Sequence, residues 1–134
     1  MFRLVWQGGK QSFPLFFKEK MPQIFKIVDQ SVFDAIGREG IFAGAGIDVR
    51  DGYIHFSTAQ QVAETARLHF AGRIDLVLFA VDVEVVQDRL KWEASRGGQL
   101  FPHVYGVIRP SDISWHKVLP WNRTAHDFPP ETFL

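Results

Sequence analysis

Apolar and polar positions alternate most clearly over Tyr53–Ser57, where Ile54 and Phe56 point one way while Tyr53, His55 and Ser57 point the other. Asp51-Gly52 just before them is a turn signal. Just after them, Ala59, Val62, Ala63, Ala66 and Phe70 keep helical spacing. Ser57 or Thr58 can cap that helix, with Gln61 completing a capping box from Thr58. The pattern thus predicts a helix start beside His55, where orphan N–H groups and the positive dipole end suit an anion. Upstream, Ile24–Val28 reads as a strand with Lys26 its single charge. A helix follows, capped by Asp29 or Ser31, carried by Val32, Phe33, Ala35 and Ile36, and closed by Gly40. From Ile41 to Gly52 no period is sustained, and the stretch is expected to be an irregular loop beside the His55 strand.

The second half of the chain is read in the same way. The second helix stops near Gly72, and Ile74–Val81 is an almost unbroken apolar run of the kind buried on both faces, which places it at a sheet centre. Asp82–Arg89 is a short helical or irregular crossing. Leu90–Glu93 then puts Leu90 and Trp92 on one face and Lys91 and Glu93 on the other. After a turn at Gly97-Gly98, Phe101–Gly106 places Phe101, His103 and Tyr105 together, with Pro102 marking a strand start or edge. Arg109–Asp112 is a turn, Ile113–Trp121 a closing strand, and the tail around Pro129-Pro130 irregular.

No repeat and no long connection divides this pattern, so residues 21–123 are expected to form one domain, with 1–20 as an arm and 124–134 as a tail. The arm is interrupted at Gly8-Gly9 and Pro14 and sustains neither period. Two expectations follow: Met21 is the natural start, or Val5, Trp6, Phe13, Phe16 and Phe17 pack on the domain or on a second copy, giving a homodimer. Fifteen basic and fifteen acidic residues cancel, which argues against a broad footprint for nucleic acid or an anionic membrane. The chain has no cysteine, excluding disulfides and thiol catalysis and fitting a cytoplasmic protein. No apolar run approaches the roughly 20 residues of a membrane span.

Three segments carry reactive side chains in strand alternation: Tyr53, His55 and Ser57; Lys91 and Glu93; His103 and Tyr105. If their polar faces converge, they enclose a cleft furnished for acid–base work or for gripping a ribose and an amide. The ordinary alternative is that these faces meet water, that Ser57 and Thr58 only cap a helix, and that Arg50 is a solvated loop residue. His55, His103 and Glu93 would suffice for a two-histidine, one-carboxylate metal site, but their spacing does not demand it, and no metal is expected. P-loop, dinucleotide-fingerprint and serine-hydrolase-elbow motifs are absent.

Taken in order, IFKIV, DGYIHFSTAQQV, LVLFAVD, LKWE and FPHVYG resemble the bacterial family called domain of unknown function 952, over roughly Ile24 to Trp121. The resemblance implies a small cytoplasmic α+β protein: a mixed, largely antiparallel split sheet with two main helices, similar to the ADP-ribosyltransferases, which bind NAD between the halves of a split sheet. It further implies that His55 and Ser57 frame the nicotinamide and ribose, and that Glu93 is the catalytic carboxylate. Lys26, Arg50, Tyr53, Thr58, His103 and Tyr105 would help hold the ligand. Lys26 departs from the histidine that relatives often carry there, and a point charge lacks the directional ring nitrogen. Two functional expectations follow: an enzyme acting on NAD as substrate, with Glu93 at the ribose carbon, or a non-catalytic module for a small anionic metabolite.

Overall fold

A computed structural model describes residues 22–134; the expectations for the N-terminal arm lie outside the described residues. Six strands form two antiparallel sheets of three. The first contains β1 (Gln23–Asp29), β3 (Leu76–Asp82) and β6 (Ile113–Val118) in the order β1-β3-β6. The second contains β2 (Ile54–His55), β4 (Leu90–Ala94) and β5 (Leu100–Val104) in the order β2-β5-β4. The architecture is α+β, with α1 (Gln30–Glu39) and α3 (Val62–His69) as the longer helices and α2 (Ile47–Asp51) and α4 (Val83–Val86) as short ones.

The apolar run near residue 78 sits where its composition requires. β3 is the middle strand of its sheet, and its two faces feed two separate cores. Val77, Phe79 and Val81 pack with Ile36 of α1 and with Ile54, Phe56 and Val104 of the second sheet. Leu78 and Ala80, on the opposite face, pack with Val62 and Ala66 of α3 and with Leu119. Period-two alternation with both faces apolar thus joins two helices and the second sheet through one strand.

Beyond this packing, one stretch of chain links the sheets by backbone hydrogen bonds. Ile54 and His55 pair with Val104 and His103 of β5, and Phe56 N–H still donates to Pro102 O at 2.9 Å. Ser57 has already left for β1, exchanging both backbone hydrogen bonds with Phe25 (2.8 and 2.9 Å). Pro102 therefore lies in the central strand, not at the strand start or edge its sequence suggested. A residue's N–H and C=O point to the same side of an antiparallel strand, so the donor missing from Pro102 is the one that would have faced Phe56. The proline thus removes one bond at the last rung before the partner strand leaves for β1.

Local structure departs from the sequence reading in two further places. Helix α3 begins at Val62 and not near Thr58; Gln61 is its N-cap residue and makes no side-chain cap. Only half of the expected capping box forms, Thr58 N–H donating to Gln61 Oε1 at 3.1 Å. The amide of Gln61 donates to Leu100 O (2.9 Å), so the residue ties the helix start to β5. Likewise α1 is closed by Gly40 in the left-handed region as expected, but Asp29 caps it without a side-chain hydrogen bond. Within the stretch 41–52, read as an irregular loop, lies α2, stopped by Gly52 at a φ of 85°. The tail, expected to be irregular, forms a 3₁₀ turn over Pro130–Phe133 and is docked: His126 Nε2 bonds Arg73 O at 3.0 Å, and Phe128 packs on the α3 core.

Candidate functional site

Asp48 of α2 is the keystone of the site, and its side chain has no exposed surface. One oxygen accepts from the backbone N–H of His55 (3.0 Å) and from His55 Nδ1 (2.6 Å). The other accepts from Ala45 N–H (2.9 Å) and pairs with Lys26 Nζ (2.8 Å). Burial, the largest single influence, opposes its charge, yet the hydrogen bond from His55 and the nearby Lys26 together hold the carboxyl down at about 2. Lys26 is pulled below the usual lysine range by its own burial, with Asp48 opposing. Its ammonium also donates to His55 O at 2.8 Å, so one buried ion pair braces β1, α2 and β2.

This keystone depends on Gly44. Its φ is 125°, and a Cβ placed there would lie 2.7 Å from Asp48 Cβ, so the chain can pass only without a side chain. Sequence reasoning, which took this stretch for an irregular loop, missed Asp48. The available signal was an acid near the start of a short turn-like run opposite the single lysine of a strand.

The three polar strand faces do converge. His55 and His103 are cross-strand partners with ring centroids 5.1 Å apart. Tyr53 lies over both, stacked at 4.3 Å on His103 and tilted at 4.6 Å from His55. His103 Nδ1 meets Glu93 Oε1 at 2.8 Å, and the Tyr105 hydroxyl donates to the same oxygen at 2.8 Å. Hydrogen bonds from His103 and then Tyr105 hold Glu93 below its usual range. Reciprocally, the bond to Glu93 and then burial push the Tyr105 phenol up to about 12. Lys91 sits over the Tyr105 ring, 4.5 Å from its centroid.

Beside this cluster, where the two sheets part beyond the Phe25–Ser57 contact, opens a cleft of about 380 Å³. Lys26, Asp48, His55, Ser57 and His103 line it, together with Thr65, Arg73 and Arg96, which the sequence reading did not single out. Ser57 Oγ and Thr65 Oγ1 are 2.9 Å apart, and Arg96 Nη1 donates to Thr65 Oγ1 at 3.3 Å while its guanidinium lies over Phe101. Arg73 is paired with Asp29, whereas Arg96 has no carboxylate partner among the described residues. Arg96 precedes Gly97-Gly98, and that turn signal masked it.

Not every expected residue reaches the cleft. Glu93, Tyr53, Thr58 and Tyr105 are not among its walls. Arg50 points to solvent and pairs with Asp51 at 2.9 Å. Asp51 in turn faces His55 Nε2 at 3.1 Å, so both nitrogens of His55 meet carboxylate oxygens and neither is left for a ligand. Among the described residues no group of acidic and histidine side chains is arranged to hold a metal ion. None of their helices is long and apolar enough to cross a membrane.

Residues 27–116 match the family described as "Protein of unknown function (DUF952)". The chain belongs to the DUF952 family. This DUF952 chain is also similar to protein CC0527 from Caulobacter crescentus. Its crystal structure superposes with a TM-score of 0.78 at 37% identity, covering 84% of this chain and 99% of that one. The solution structure of CC0527 gives 0.70 at 39% identity, covering 78% and 90%. No curated protein matches the chain. The DUF952 match spans Lys26's neighbour Ile27 through His116, and so includes every cleft and cluster residue named above except Lys26 and Phe25.

Proposed function

We propose that the cleft binds a ligand of the NAD or ADP-ribose kind, with Arg96 meeting a phosphate and the Ser57–Thr65 hydroxyls meeting phosphate or ribose oxygens. The observation that carries this reading is Arg96, a guanidinium lining the cleft, steadied by an aromatic face and a hydroxyl and in no ion pair with a carboxylate among the described residues. A planar fork of donors at the wall of a partly apolar hollow suits phosphate oxygens bidentately. Support also comes from the parting of two antiparallel sheets, an arrangement in keeping with the ADP-ribosyltransferase comparison. In an enzymatic form of this reading, NAD is the substrate, Ser57 helps orient it and Glu93 serves the developing charge at the ribose carbon.

A specific observation favours the second reading, a binding module without turnover. Both oxygens of Glu93 already accept from Tyr105, one of them from His103 as well, and Glu93 is not a wall of the cleft. One experiment separates the readings. NAD and ADP-ribose are titrated calorimetrically against wild type and Arg96→Ala, and nicotinamide release from NAD is assayed for wild type and Glu93→Gln. Binding weakened at least tenfold by Arg96→Ala supports the cleft. Release abolished by Glu93→Gln supports the enzyme, and binding without release supports the module. Absence of binding rejects both.

A further inference from the structure

The imidazole of His103 is 2% exposed, and its Nε2 is buried without a hydrogen-bond partner. A buried polar nitrogen left unpaired is costly, so an orphan of this kind calls for an explanation. Its surroundings supply one. The Nδ1 edge is turned to Glu93, which lies outside the cleft, while the ring itself is a cleft wall. A carboxylate can only accept, so the Nδ1 position carries the proton. A second proton on Nε2 would bury an unpaired cationic N–H, a costlier arrangement than a bare lone pair. Tyr53 stacked at 4.3 Å fixes the ring plane, and Tyr105 bonded to both Glu93 oxygens fixes the carboxylate.

We infer that His103 Nε2 is a hydrogen-bond acceptor presented to the cleft for a ligand hydroxyl, and that Glu93 and Tyr105 are positioning groups which set its tautomer from behind. The inference rests on the proposed cleft reading and changes the division of labour within it. Glu93 acts through the imidazole and need not touch the ligand. The ligand class is one offering an O–H near its phosphates, as a ribose diol does, and one that pairs Nε2 with a donor while Arg96 takes its anionic oxygens. A fully anionic ligand with no donor, such as inorganic sulfate, would leave the orphan unsatisfied.

Imidazole ¹⁵N spectra of the full chain test this, with the His103 signals assigned by their loss in His103→Gln. The expected result is a proton on Nδ1 and a bare Nε2 in the free protein, with the Nε2 resonance moving on saturation with ADP-ribose. Glu93→Ala should mix the two tautomers and weaken ADP-ribose binding about tenfold, whereas sulfate binding should change less than twofold. A proton on Nε2 in the free wild type overturns the inference. So does calorimetric binding of ADP-ribose that leaves the His103 signals in place; the cleft reading survives both results. Failure of NAD and ADP-ribose to bind overturns the cleft reading and this inference together.

Discussion

At the scale of single residues, Asp48 and Glu93 show two carboxylates given different tasks by their surroundings. Asp48 neutralises a buried lysine and fastens a backbone N–H, so its loss leaves the Lys26 ammonium without a counter-charge, held only by the His55 carbonyl. Asp48→Asn should cost about 3–5 kcal/mol by urea denaturation, and Lys26→Met combined with it should recover part of that loss. The sign with pH follows from the same group. Because the folded carboxyl sits near 2 and below its unfolded value of 3.8, its contribution is fully present above pH 4 and is lost as pH falls toward 2. Wild type should therefore lose about 2 kcal/mol between pH 5 and pH 2 through this group, a slope that Asp48→Asn lacks. Glu93, by contrast, raises a phenol. In Glu93→Gln the alkaline absorbance titration of Tyr105 should shift from about 12 toward the ordinary value of 10. Little of this was legible beforehand. His55, Ser57 and His103 stood out because alternation put them on one face, whereas Asp48 and Arg96 lay in segments without a period. Their importance comes from partners distant in sequence.

Among elements, the two-faced strand β3 was the most readable feature, because continuous apolar composition admits few other fates. Leu78 of this strand is fully buried in the α3 core, and Leu78→Ala should destabilise the protein by about 2–5 kcal/mol, measured by thermal or urea unfolding. The start of α3 was misread for a physical reason. Thr58 and Gln61 do make a capping-box bond, but Gln61 spends its amide on Leu100 of β5, and the chain turns before the helix begins. Tertiary demand outweighed local propensity there. Pro102 was misplaced because a proline excludes a central strand only where its donor has a partner, and β2 departs at that rung. The loop before His55 hid α2, a helix too short for periodicity to reveal.

For the molecule as a whole, the α+β class and largely antiparallel pairing were what the family resemblance implied, and the two antiparallel sheets agree with it, while the parting of the sheets depends on where one chain segment changes partners. If the cleft binds ADP-ribose, a concentration of one hundred times the dissociation constant should add about 2.7 kcal/mol to folding stability, seen as a raised melting temperature that Arg96→Ala diminishes. The Phe25–Ser57 contact has a mechanical meaning as well. A single rung of two backbone bonds couples the halves beside the gap, while the apolar core that both sheets share sets the angle between them. Amide exchange at Phe25 and Ser57 should then slow when a guest is present, while the interior of β3 keeps its pace.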